Sequence, residues 1–139
     1  MNNQFSREFS LPIRVYIEDT DAGGIVYYVN YFKYFERART EFMRCLGFDK
    51  PAFLGDDGMF VVTDASAQYQ RPAHLDDALT ASATVTSVGG ATLIFEQRIC
   101  RSDELLVAGS VTIALVSASN GRPRRLPAEL RAAVDKYNS

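Results

Sequence analysis

The sequence predicts an α+β fold, in which one long helix lies against a five-stranded antiparallel sheet and a short helix closes the chain. Three observations carry that expectation. Only one stretch, from Asn30 to Leu46, sustains a helical period over several turns. Beyond it, Met59 to Ser117 is strand-like nearly throughout and is punctuated by tight-turn residues. Ahead of it stands a single further strand.

Taken in order, "LPIRVYIED" is rich in β-branched and aromatic residues, with Ile13, Val15 and Ile17 alternating, and predicts a strand ending near Glu18. "DAGG" then breaks the pattern. At ~100° per residue, Tyr31, Tyr34, Phe35, Ala38, Phe42, Cys45 and Leu46 share one stripe, opposite Lys33, Glu36, Arg37, Thr40 and Arg44. Asn30 reads as the N-cap and Gly47 as the residue just past the C-cap. Phe32 and Met43 fall off the stripe and predict a second covered face, at a subunit contact. "DKPAFLGDDG" reads as a loop or short helical turn. Four strands follow as "MFVVTDASAQYQ", "LTASATVTSV", "ATLIFEQRIC" and "LLVAGSVTIALVS". Gly89-Gly90 and Ser102-Asp103 sit where hairpins would turn. "LPAELRAAVDKY" is a short amphipathic helix with Pro127 in its first turn.

Composition narrows the function. A chain of 139 residues suits one domain, residues 1–139, large enough to bury a core. An apolar share of 47% and a charged share of 23% are ordinary for a globular protein. A net charge of −2 lacks the basic footprint of a general nucleic-acid binder. No apolar run approaches the ~20 residues of a membrane span, and "MNNQFSREFS" lacks the organisation of a signal peptide. Cys45 and Cys100 have no C-x-x-C spacing and read as buried, reduced thiols of a cytoplasmic protein. His74 is the only histidine, which disfavours a zinc site.

The stretch "YIEDTDAGGIVYYVNYFKYFERARTEFMRCLG" resembles the signature of the YbgC and 4-hydroxybenzoyl-CoA thioesterase family, whose members have the hot-dog fold. "YQRPAHLDDALTASATVTSVGGATLIFEQRI" and "AGSVTIALVS" are similar to further family blocks, so the resemblance covers roughly the whole chain. It implies a sheet wrapped around a central helix, assembly into a dimer or a dimer of dimers, and hydrolysis of acyl-CoA without metal or organic cofactor. It also implies Asp21 as the catalytic carboxylate and the backbone N–H of Tyr28 as the group that polarises the thioester carbonyl. Tyr at position 28 matches the 4-hydroxybenzoyl-CoA enzymes, whereas "YFERARTE" is closer to the YbgC type. An aromatic and a short aliphatic acyl group therefore both stay open.

Those residues suit the chemistry. A carboxylate can attack a thioester carbonyl or activate a water for that attack. Gly23 and Gly24 lack a Cβ and let substrate approach the backbone closely. A helix start presents unpaired N–H groups and a positive dipole end, the elements of an oxyanion hole. On pattern alone, paired Asp before Gly-Gly are turn residues, and Asp19 is read that way. Tyr27, Tyr28, Tyr31 and Tyr34 read mainly as core, with the Tyr28 ring a pocket wall. Glu36 with Arg39 and Arg37 with Glu41 are spaced as solvated helical ion pairs.

A triad of His74 with Cys45 or Cys100 is disfavoured, because the cysteines sit on apolar stripes. A dehydratase of the same fold would want a histidine beside the carboxylate, and none is near Asp21 in sequence. A non-catalytic acyl-CoA or acyl-carrier binding module is the non-enzymatic alternative. For the CoA phosphates, Arg71, Arg98, Arg101, Arg122, Arg124 and Arg125 are all candidates; the turn "SVGGAT" lacks the Lys or Arg seen there in related chains.

Overall fold

The computed structural model describes residues 7–139. Most of the signal-peptide reading, on residues 1–6, lies outside the described residues. The elements run β1 (Phe9–Arg14), a 3-10 turn (Ile17–Asp19), α1 (Asn30–Cys45), β2 (Phe53–Leu54), β3 (Gly58–Tyr69), β4 (Ala78–Val88), β5 (Thr92–Arg101), β6 (Glu104–Ser117) and α2 (Ala128–Asn138). The strands form one antiparallel sheet in the order β1-β4-β5-β6-β3-β2. It has six strands, not five. The extra one, β2, lies inside the segment read as a loop, and its two residues are too short to show a period.

The sheet curls around α1. Register shifts at Val62/Asp64 in β3 and Val85/Ser87 in β4 add the local bend and twist that wrapping requires. Tyr34, Phe35, Ala38 and Phe42 of α1 have no exposed surface and meet Ala81, Ala83, Leu93, Phe95, Ile99 and Val107 from the sheet. Gly109 of β6 permits the closest approach, since a Cβ there would lie 2.6 Å from the Phe35 ring. One polar group enters this interface. Gln97, 1% exposed, donates to the Phe35 carbonyl of α1 and the Ser82 carbonyl of β4, and accepts from Arg39. All its polar atoms therefore have partners, and it ties helix to sheet.

Several expectations need correction. β1 stops at Arg14, because Asp19 accepts the Tyr16 N–H and winds the chain into the 3-10 turn, leaving Ile17 76% exposed. Asn30 does not cap α1 through its side chain, which donates to Asp19 instead. Cys45 is exposed and Cys100 half-buried, while Met43 is buried within the chain. The helical ion pairs are replaced: Glu41 meets Arg44, Arg39 meets Gln97, and the Arg37 guanidinium stands over the Tyr34 ring. The C-terminal end of α1 is as expected. Gly47, at φ +104°, follows the C-cap, and the N–H groups of Gly47 and Phe48 bond to Arg44 and Met43, a Schellman motif.

Candidate active site

The connection from the 3-10 turn to α1 is a small hairpin. The Tyr27 N–H donates to the Asp19 carbonyl and the Asp21 N–H to the Ile25 carbonyl, with Thr20 and Val26 bridged between them. Asp21, Gly23 and Gly24 form its tip. The Asp21 carbonyl accepts the Gly24 N–H, and Asp21 Oδ1 accepts the Gly23 N–H at 2.9 Å. Gly24 takes φ +77°, where a side chain would be strained. Oδ2 of Asp21 has no partner among the described residues, and the residue is exposed. One carboxylate oxygen is thus fixed by the loop and the other faces outward.

The hairpin leads directly into α1. Asn30, Tyr31 and Phe32 donate to the carbonyls of Tyr27, Tyr28 and Val29, a tight opening turn. The N–H groups of Tyr28 and Val29 precede these bonds and have no acceptor among the described residues. They lie at the positive end of the helix dipole. Asp21 and Tyr28 thus occupy one short connection, with no hydrogen bond between them.

Asp19 anchors this connection. It is 5% exposed; its Oδ1 accepts Asn30 Nδ2 at 2.7 Å and its Oδ2 the Tyr16 N–H at 2.9 Å. The turn role read for Asp19 is the one it has. The Tyr34 hydroxyl is buried beside Asp19 and Asn30 with no hydrogen bond of normal geometry among the described residues. Burial first, and the Asp19 charge second, hold that phenol protonated well above its usual range.

The tyrosines divide into two sets. Tyr31 and Tyr34 are core, whereas Tyr27 and Tyr28 are 49% and 58% exposed. The Tyr28 ring stands edge-on to Tyr69 of β3 at 6.1 Å, and Tyr69 also meets Tyr31 at 5.7 Å. An aromatic wall therefore borders the start of α1.

A second segment supports the tip, and sequence reasoning missed it. The Ala73 carbonyl accepts the Val26 N–H, the Leu75 N–H donates to the Gly24 carbonyl, and Ile25 bridges His74. The Tyr31 hydroxyl accepts the Ala73 N–H at 3.0 Å. Asp77 secures the segment by accepting the His74 N–H at 2.8 Å and Arg101 at 2.7 Å. Burial alone would raise the Asp77 pKa, but the His74 N–H and the Arg101 guanidinium overcome it and hold the carboxyl below its usual range. His74, distant from Asp21 in sequence, is a backbone neighbour of the tip. Its ring, however, turns to Arg101 and Asp77. Nothing in "RPAHLDD" itself shows this contact, because it forms between segments distant in sequence.

The candidate phosphate-binding cations also separate. Arg98 pairs with Glu8, Arg101 with Asp77 and Glu104, and Arg71 with Glu104. Among the described residues, Arg122, Arg124 and Arg125 make no ion pair.

The chain is similar to known proteins in sequence and in fold. Residues 23–108 match the family model of the Thioesterase superfamily, a span that holds Gly23, Gly24 and Tyr28 and begins just after Asp21. The acyl-CoA thioesterase YbgC of Haemophilus influenzae is 44% identical over 126 residues, 90% of this chain and 93% of that one. The acyl-CoA thioester hydrolase YbgC of Escherichia coli is 41% identical over 89% of this chain and 93% of its own. The solved structure of a probable thioesterase from Bartonella henselae superposes with a TM-score of 0.81 at 36% identity, over 87% of this chain and all of that chain.

Proposed function

This chain belongs to the Thioesterase superfamily and, within it, to the YbgC acyl-CoA thioesterases, and from that footing we propose that Asp21 and the Tyr28 N–H hydrolyse an acyl-CoA to free acid and CoA. The observation that carries this reading is the pairing of a half-tethered carboxylate with unpartnered N–H groups on one short connection. Oδ2 of Asp21 is free to attack the thioester carbonyl or to take a proton from water. The Tyr28 N–H receives the oxygen as it gains negative charge, and the helix dipole adds to that stabilisation. Gly23 and Gly24 keep the tip free of side chains where substrate passes. The acyl group is aromatic or short aliphatic, and it lies against the Tyr28 and Tyr69 rings.

The working unit is a homodimer built on β3, which can in turn pair into a dimer of dimers. β2 covers only the start of β3, so among the described residues the outer edge from Val61 to Tyr69 has no strand partner. Val62, 53% exposed, lies at the start of that edge and Tyr69, 45% exposed, at its end. An open strand edge is a template for a second copy. We place this one-domain enzyme in the cytoplasm; no helix among the described residues is long and apolar enough to cross a membrane.

A panel of aromatic and short-chain acyl-CoA esters, read by free-thiol release, tests the activity. Asp21→Asn keeps the shape and should lower turnover ~10²–10⁴-fold while substrate still binds. Near-native turnover by that variant ends the assignment of Asp21. Absence of hydrolysis across the panel would leave a binding module. A monomer by light scattering at micromolar concentration would refute the dimer.

A further inference from the structure

The N–H of Tyr28 has little at its own residue to hold it in place. The Tyr28 ring is more than half exposed, the N–H has no acceptor among the described residues, and the carbonyl accepts the Tyr31 N–H at a long 3.4 Å. A peptide group is planar, so the direction of its N–H is set by the chain on either side. Both sides lead to one residue. The Tyr27 N–H donates to the Asp19 carbonyl at 3.0 Å, and Asn30 Nδ2 donates to Asp19 Oδ1 at 2.7 Å. Asn30 closes the loop with its own N–H, which donates to the Tyr27 carbonyl at 2.8 Å. Asp19 therefore grips the chain before and after Tyr28, once with its backbone and once with its side chain. It also stands two residues before Asp21, and its Oδ2 accepts the Tyr16 N–H, which fixes it to the turn after β1. Asp19 and Asn30 are buried, with the buried Tyr34 hydroxyl beside them, so bulk water has no ready access to either partner.

We propose that Asp19 and Asn30 are positioning residues for the hydrolysis, and that the bond between them aims the Tyr28 N–H at the oxygen of the thioester carbonyl. The proposal rests on the thioesterase reading above. An oxyanion donor acts within ~2.7–3.1 Å of its oxygen, and a misplacement of ~1 Å can cost ~10²-fold in rate. Without the tie to Asp19, the opening turn is left to the bonds from the N–H groups of Asn30, Tyr31 and Phe32, the longest of them at Tyr28, and helix ends fray. The loss falls on the transition state, because the donor counts most when the oxygen carries negative charge. It is therefore read in kcat and leaves KM nearly untouched. The charge of Asp19 acts in the opposite sense. A buried carboxylate beside the start of α1 opposes negative charge on the substrate oxygen, so removing the charge while keeping the bond separates position from field.

Four variants and one probe test this. Asn30→Ala and Asp19→Ala, assayed on acyl-CoA esters well below their melting temperatures, should lose about tenfold or more in kcat with KM little changed. Asp19→Asn keeps an oxygen for Asn30 and drops the charge, and should hold most of the native kcat. Gly109→Ala, which strains the core against Phe35 away from the site, should keep the native kcat. Native kcat in Asn30→Ala, an equal loss in Gly109→Ala, or Asp19→Asn as slow as Asp19→Ala overturns the proposal. The probe is an analogue of benzoyl-CoA or butanoyl-CoA with a methylene in place of the sulfur and ¹³C at the carbonyl, a ketone that cannot be hydrolysed. Isotope-edited infrared spectra should show its carbonyl stretch lowered on binding to the native protein and returned towards the free value in Asn30→Ala. A lowering that survives in Asn30→Ala overturns the proposal even where kcat has fallen. If the native protein hydrolyses no ester, the thioesterase reading fails, and the infrared shift judges the join by itself. A shift lost in Asn30→Ala then supports the positioning role, and a retained or absent shift overturns it.

Discussion

Asp19 and Asn30 form the join between the hairpin and α1, and breaking that join has a calculable cost. Asp19 is 5% and Asn30 6% exposed, and the 2.7 Å bond between them supplies the one acceptor that Asn30 Nδ2 has among the described residues. A hydrogen bond to a charged group contributes ~1.5–3 kcal/mol, and a buried donor left unpaired costs ~1–3 kcal/mol. The Tyr16 N–H, next to an exposed ring, can turn to water and adds little. Asp19→Ala should therefore destabilise by about 3 kcal/mol, a large share of the ~5–15 kcal/mol that holds a domain folded. Asn30→Ala should cost about 2 kcal/mol, since the carboxylate keeps its bond from Tyr16. The double variant should cost little more than Asp19→Ala alone, a coupling of about 2 kcal/mol. Urea denaturation followed by circular dichroism measures all three, with a constant m-value as the condition for comparison. Additivity within ~0.5 kcal/mol would show that the two residues act independently and would refute this account of the join.

Legibility in the sequence followed how local the determining physics is. The helix and its ending were readable, because period, Gly47 and the Schellman bonds all lie within neighbouring turns. The two hairpins at Gly89-Gly90 and Ser102-Asp103 were readable for the same reason; Ser102 takes φ +53°. The width of the buried stripe was not, because curvature of the sheet and packing of α2 set it. Tyr137 of α2, for example, packs on Phe42 at 5.1 Å. The end of β1 was lost to one side chain, since nothing in the alternation of Ile13, Val15 and Ile17 shows Asp19 capturing the Tyr16 N–H. At the site, Asp19, Asp21, Gly23, Gly24 and Tyr28 could be placed on one connection because they are contiguous in the sequence. Its support could not, because Ile25 and His74 meet only when β4 takes its place beside β1. Cation choice failed similarly: whether an arginine is free depends on which acid the fold brings to it.

Three further predictions concern the core, pH and mechanism. Gly109→Ala places a Cβ 2.6 Å from both the Phe35 ring and the Ser66 carbonyl, and should cost ~1–3 kcal/mol by urea titration; an unchanged midpoint would show that helix and sheet can separate freely there. Asp77 has a lowered pKa in the folded chain, so its contribution is present above the ordinary carboxylate value of ~3.9 and is lost as pH falls through the lower, folded value. Melting temperature should drop less steeply with acid in Asp77→Asn than in the native chain, and identical slopes would refute the linkage. The last concerns how Asp21 acts. With Oδ1 tethered to Gly23 and Oδ2 free, direct attack would form a mixed anhydride and expel CoA as thiolate. Water then opens the anhydride at the aspartyl carbonyl, so the released acid keeps an oxygen from the carboxylate and Asp21 takes one from water. A single turnover in ¹⁸O-water should therefore give an unlabelled first acid and a labelled enzyme. Label in the first acid, with none in Asp21, would refute opening at the aspartyl carbonyl and place the attack of water at the acyl carbon.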